Sequence, residues 1–206
     1  MFTLAEMVEA FDITRVSANA ARFDLKKAEA VNSAHLRMLA ADDFARRLEP
    51  YLVAELEGRP PVMSDTLGAA QRPLLVAAAP LVQERSTVLS DAALMLRFLF
   101  VDEAGFAVDD AAAAKNLGAD AVDVLDAALT SLDKLDTWTA AEIENALRAS
   151  LVDGLGLKPR KAFGPVRVAV TGRTVSPPLY ESMELLGRER SLGRLRAGFE
   201  RARAVG

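Results

Sequence analysis

The residues best suited to chemistry lie in the last third of the chain. There Lys158, Arg160, Lys161, Arg167 and Arg173 lead into Ser176-Pro177-Pro178-Leu179. Ser before Pro at a first helical position is a good helix start. The free backbone amides of such a terminus, flanked by Arg and Lys, would receive phosphates or the acceptor edges of bases. The same cations would also serve as solvated side chains of a surface helix, and spacing alone does not separate the two. Catalytic arrangements are missing. The sequence has no Gly-x-x-x-x-Gly-Lys-Ser/Thr loop, no Gly-x-Ser-x-Gly elbow and no helix with paired histidines. With no Cys and only His35, it excludes disulfides, thiolate metal sites, Cys nucleophiles and two-histidine sites. The acidic pairs Asp42-Asp43 and Asp109-Asp110 read as first-turn residues favoured by the helix dipole, not as acid/base groups. His35 reads as a core or rim histidine, and Trp138 as a structural staple ahead of a helix. The chain is expected to do no chemistry by itself.

The net charge of −4 is unevenly spread. Residues 1–101 carry 11 Lys/Arg against 13 Asp/Glu, a balance of −2; residues 102–153 carry 3 against 12, or −9; residues 154–206 carry 11 against 4, or +7. An acidic middle followed by a basic end fits a chain whose end meets nucleic acid, or a basic surface that balances its acidic neighbour. At 206 residues and 51% hydrophobic, the chain can bury one or two cores and is not a disordered tail. Its longest uncharged stretch, Pro73–Gln83, is shorter than the roughly 20 apolar residues of a membrane span. The first residues lack a signal-peptide pattern. A soluble, cytoplasmic, monomeric protein is expected.

Almost every segment that must position these residues reads as helix. Thr3-Leu4-Ala5-Glu6 and Thr139-Ala140-Ala141-Glu142 are capping boxes. Leu4, Met7, Val8 and Phe11 follow the first at helical spacing. Asp24 caps a second helix, with Leu25, Ala28, Val31, His35 and Leu39 on one stripe. A third starts near Asp42 and holds Phe44, Leu48 and Leu52. Gly58-Arg59-Pro60-Pro61 breaks the chain. Ser90 is expected to cap the run Ala92–Phe100, and Asp109 and Asp120 to start later helices. The glycines of Asp153-Gly154-Leu155-Gly156 close another. Alternation in Val166-Arg167-Val168-Ala169-Val170 predicts a short strand near 166–170, followed by helices over Pro178–Leu186 and Ser191–Ala204. The fold class is therefore all-α, with two consecutive helical bundles meeting near residues 101–108.

Particular residues carry a resemblance. Asp24-Leu25-Lys26-Lys27 with Asn32 is similar to the Phe-Asp-x-x-Lys-Leu-x-x-x-Asn pattern that follows the catalytic core of bacterial glutamyl-tRNA synthetases, in their stem-contact region. Phe2-Thr3-Leu4-Ala5-Glu6-Met7 and Phe11-Asp12 resemble the element just before it. Leu81-Val82-Gln83-Glu84-Arg85, Leu89 and Leu99-Phe100 resemble the family's first anticodon-binding domain. Arg167-Val168-Ala169-Val170-Thr171-Gly172, Ser176-Pro177-Pro178-Leu179 and Leu185-Leu186-Gly187-Arg188-Glu189 resemble its C-terminal signature. The family's His-x-Gly-His-type and Lys-Met-Ser-Lys-type motifs are absent, so the resemblance is to the C-terminal part of the enzyme. Asn32 continues as Ser33-Ala34-His35, where many relatives have Gly and aromatic residues.

The resemblance implies residues 1–40 as the tail of the stem-contact region, with 41–102 and 103–206 as two helical anticodon-binding domains. It implies tRNA(Glu), or also tRNA(Gln), as partner. ATP and Mg2+ belong to the parent enzyme, which attaches glutamate to the tRNA, and no cofactor to this chain. It places Arg85 where a side chain inspects the third anticodon base, and Arg167, Ser176 and Leu179 where the other bases are contacted. Arg offers a planar fork of donors, Ser176 donates and accepts, and Leu179 and Tyr180 would present apolar or aromatic surface to splayed bases. Arg97, Lys158, Arg160 and Lys161 would steer the backbone. Leu81 and Leu89 are assigned to the core. The alternative reading is a helical protein–protein adaptor whose basic end binds an acidic partner or the chain's own acidic middle.

Overall fold

A computed structural model describes residues 2–16, 23–55, 61–63 and 67–205. Gly58, Arg59 and Pro60 of the expected chain break lie outside the described residues. Eleven α-helices are found among the described residues, and no strand. They are α1 (Leu4–Ala10), α2 (Leu25–Met38), α3 (Ala41–Val53), α4 (Gln71–Gln83), α5 (Leu89–Phe100), α6 (Asp110–Asn116), α7 (Val122–Leu132), α8 (Ala140–Leu147), α9 (Pro159–Thr171), α10 (Leu179–Leu186) and α11 (Arg188–Val205). A π-helical turn, Arg148–Gly154, extends α8.

Several starts follow from local capping. Thr3 and Glu6 satisfy each other's backbone amides at α1. The side chains of Asp24, Asp109 and Thr139 accept from the third residue of α2, α6 and α8, the arrangement that satisfies otherwise orphaned N–H groups. Ser90 does not cap α5: the helix already begins at Leu89, with Val88 as its cap residue. Nor does Ser176 cap α10, whose cap residue is Pro178.

The alternating segment 166–170 is helical, inside α9. Pro159 at the first turn and Gly172 in the left-handed conformation bracket that helix. Val166, Val168, Ala169 and Val170 are all buried, so α9 presents apolar residues on several faces and mimics a strand's alternation. The stripe expected on α2 is also displaced. Leu25 and Val31 are exposed, and the helix buries Ser33 and Leu36 instead.

Helices α3, α4 and α5 pack together around Phe44, Leu48, Leu52, Leu75 and Leu96. In the second group, α7 and α9 pack on α11, and α8 on α7 and α10, burying Leu125, Leu132, Ile143, Leu147 and Met183. Helix α10 also packs on α4. The apolar core runs continuously from Leu36 to Ala202. Contact between α9 and α11 is close: a Cβ added at Gly198 would lie 2.7 Å from that of Ala169.

Candidate nucleic-acid interface

The loop after α9 sets the geometry. Gly172 has φ +77°, and a Cβ there would stand 2.7 Å from the Ala107 carbonyl oxygen. The Gly172 carbonyl in turn accepts from the Asp109 amide at 2.9 Å. The chain then crosses Arg173, Thr174 and Val175 before Ser176 drops into the interior, 5% exposed.

Arg167, half-buried on α9, reaches under this loop. Its Nη1 donates to Ser176 Oγ at 2.5 Å and to the Pro177 carbonyl at 2.9 Å. No carboxylate among the described residues pairs with it. Burial, and then the positive charge of Arg85, press its guanidinium pKa below the ordinary value, although Arg stays charged. Ser176 donates its hydroxyl to the Pro177 carbonyl at 2.9 Å, so it braces Arg167 as well as lining the loop.

Arg85 arrives from the other helical group, just beyond α4. It is exposed, its amide closes the helix on the Val82 carbonyl at 3.0 Å, and it forms no ion pair among the described residues. Its position is fixed from behind. Gln83 Nε2 donates to the Leu36 and Leu39 carbonyls, both at 2.8 Å, and Ser33 Oγ donates to the Ser86 carbonyl at 3.2 Å. Asn32 Nδ2 donates to the Thr87 carbonyl at 2.6 Å, so α2 grips the turn that carries Arg85.

Two clefts meet at Thr174. One, of about 490 Å³, is walled by Arg85, Met95, Arg173, Thr174 and Val175, with Asp91 and Asp109 at its side. The other, of about 380 Å³, is lined by Lys115, Asn116, Arg160, Phe163, Arg167 and Thr174. Tyr180, half-buried in the first turn of α10, meets the Phe163 ring edge-on at 5.8 Å, and burial pushes its hydroxyl pKa up. Leu179 is only 3% exposed, and its side chain belongs to the core. Lys158, Arg160 and Lys161 are exposed at the start of α9. Arg97 is half-buried on α5 and lines a hollow with Phe98, Asp109 and Arg173, the last two shared with the Arg85 cleft. Leu89 packs against the core, as expected; Leu81 is half-buried. Arg173 and Lys115 complete the cationic surface. Lys115 carries no signal in the sequence, because it sits in the acidic segment 102–153.

The basic end divides in two. On α11, Arg190 and Arg194 both bind Glu103, at 2.7 and 2.8 Å. Arg190 also donates to the Leu99 and Val101 carbonyls. Arg194, its side chain 2% exposed, donates to the Val170 carbonyl at 2.9 Å and lies 3.6 Å over the Phe106 ring. Arg188 donates to the Asp133 and Leu135 carbonyls and lies over Trp138. Arg196 and Arg201 pair with Asp133 and Asp110. These charges meet the acidic middle. Lys158, Arg160, Lys161 and Arg167 form no ion pair among the described residues and remain open to an outside anion. Trp138 is structural, donating Nε1–H to the Met183 carbonyl at 2.9 Å.

Sequence comparison matches residues 43–199 to the family described as anticodon binding domain. The chain is 64% identical over 197 residues to a glutamate–tRNA ligase of Saccharopolyspora erythraea and 59% identical to one of Rhodococcus jostii. Each match covers 96% of this chain and 38% of the relative. The chain thus spans under two-fifths of the length of these relatives. Among solved structures, a glutamate tRNA ligase of Elizabethkingia meningosepticum in complex with its amino acid superposes with TM-score 0.74 at 20% identity, over 97% of this chain and 37% of that one. The glutamate-tRNA synthetase of Elizabethkingia anophelis gives 0.69 at 21%, over 97% and 36%. Those two likenesses establish the fold. With a family match across three-quarters of its residues, this chain belongs to the anticodon-binding-domain family.

Proposed function

We propose that this chain is the anticodon-gripping part of a glutamate–tRNA ligase. It would hold the anticodon loop of tRNA(Glu), while glutamate activation with ATP and Mg2+ takes place elsewhere in a longer, cytoplasmic protein. One observation carries the reading: Arg85 and Arg167 come from different helical groups, converge on adjoining clefts, and neither forms an ion pair among the described residues. Two guanidinium groups that repel each other are stabilised when an electron-rich base edge or a phosphate comes between them. Residues 41–102 supply the Arg85 wall and residues 103–206 the Arg167 wall.

On this reading Arg85 inspects the third base, and Arg167, steadied by Ser176, offers its remaining donors to another. Tyr180 gives aromatic surface, and Leu179 acts from the core by fixing the start of α10. Arg97, Lys158, Arg160 and Lys161 steer the phosphates. The α11 arginines are held by the chain's own acidic residues, as the adaptor reading also allows; the family match across residues 43–199 favours the anticodon reading over it.

The test is binding of anticodon-stem hairpins over a salt series. Single strands give a slope near −0.7 per neutralised phosphate, so a few contacts predict an approximately tenfold loss over a fourfold rise in salt. Hairpins bearing the tRNA(Glu) and tRNA(Gln) anticodons, measured side by side, decide between one cognate and two. A titration flat in salt, or equal binding of unrelated hairpins, would overturn the proposal.

A further inference from the structure

We propose that the cavity between the end of α6 and the start of α9 clamps one phosphodiester of the RNA strand just outside the anticodon triplet, between Lys115 and Arg160. The inference rests on the anticodon-binding reading above and adds a residue and a subsite to it. At about 380 Å³ the cavity falls within the size range of small-ligand pockets, roughly 300–1,000 Å³. Among the described residues three cations line it, Lys115, Arg160 and Arg167, and no carboxylate does. Lys115 belongs to a segment with 12 Asp/Glu against 3 Lys/Arg, yet it forms no ion pair among the described residues. A lysine of an acidic segment that pairs with none of its carboxylates and shares a cavity with two further cations favours an outside anion.

The floor of the cavity is fixed. Asn116 Nδ2 donates to the Ala112 carbonyl at 2.9 Å. Its Oδ1 lies 2.9 Å from the position of a Cβ at Gly164, so a side chain there would push Asn116 aside. Arg167 has Nη1 committed to Ser176 and Pro177 and, on the reading above, its remaining donors to a base, so toward the phosphate it contributes field more than ligation. That leaves Lys115, a mobile point charge, and Arg160, a fork, as the direct partners, a combination suited to phosphate oxygens. Thr174 lines this cavity and the Arg85 cleft alike. A strand whose base sits at Arg85 therefore has its neighbouring linkages within reach of the clamp.

The experiment uses hairpins in which each loop phosphate in turn is a neutral methylphosphonate, bound to wild type, Lys115→Gln, Lys115→Arg and Arg160→Gln. Wild type should lose roughly three- to tenfold at one linkage outside the triplet. Lys115→Gln and Arg160→Gln should lose as much on the unmodified hairpin, stop sensing that linkage, and lower the salt slope by about 0.7. Lys115→Arg should restore binding, and the ranking of triplets should not change. The proposal is overturned if Lys115→Gln binds like wild type, still senses every linkage, or changes the triplet ranking. The same holds if its only effect is a lower melting temperature, which would mark Lys115 as a partner of the α6 dipole. If wild type binds no hairpin, the anticodon reading itself fails. If wild type binds and Lys115→Gln is silent, only the clamp fails.

Discussion

Arg85 and Arg167 carry the same group, but the fold holds them differently. Arg85 stands exposed at the end of α4, held through its backbone; Arg167 is half-buried and bonded to Ser176 and Pro177. Arg85→Ala should therefore cost about 1–3 kcal/mol of binding to the cognate hairpin and flatten the preference at the third base, with melting unchanged. Hairpins varied at that base, bound to both proteins, check this. A mutant that keeps the wild-type ranking would show that Arg85 is not the reader; uniform weakening with a salt slope lower by about one would mark a phosphate contact. Arg167→Ala should lower both binding and melting temperature, since it leaves the buried Ser176 oxygen without its donor and the Pro177 carbonyl with the Ser176 hydroxyl alone. Motif resemblance made these positions legible as candidates. Their surroundings were not. Nothing local in Ser176-Pro177-Pro178-Leu179 says that the serine turns inward to brace an arginine nine residues earlier, or that Leu179 enters the core.

Helix termini were the most readable elements. Thr3, Asp24, Asp109 and Thr139 each cap where the sequence places a cap, since one side chain and one nearby amide suffice. Faces were harder. The buried side of α2 and the helical state of 166–170 depend on what packs around them, and α9 is enclosed from several directions. The crossing of α9 and α11 gives a sharp test. Gly198→Ala should improve helix propensity by up to about 1 kcal/mol. Yet its Cβ would fall 2.7 Å from Ala169 Cβ, and overpacking typically costs about 1–3 kcal/mol. The net expectation is a melting temperature lower by a few degrees. Adding Ala169→Gly should recover part of the loss. A Gly198→Ala single variant that melts higher than wild type would show that the two helices separate freely.

At the scale of the molecule, Glu103 joins the helical groups. Hydrogen bonding from Arg194, followed by Arg190 and the charges of both, outweighs burial and holds its carboxyl below the ordinary glutamate value. A depressed folded pKa gives stability that is present above the unfolded value, about 4.3, and lost as pH falls through the folded one. Glu103→Gln should thus melt below wild type at pH 7, and the gap should shrink as the pH drops below about 4. Melting curves at both pH values decide it; a gap independent of pH would mean that Glu103 acts through packing rather than charge. The segment charges were plain from composition. Their pairing across the fold was not, because Glu103 and Arg194 are far apart in sequence.

Helix α11 holds the last carbonyls of α5 through Arg190 and a carbonyl near the end of α9 through Arg194. On the proposed reading, the helical groups bearing Arg85 and Arg167 are therefore referred to one common beam. The molecule then works as a caliper with its jaws already set. It measures the span of a folded loop as well as the identity of its bases. A linear strand with the same three letters must first be bent to the gauge, and the ordering entropy of that bend falls on the RNA alone.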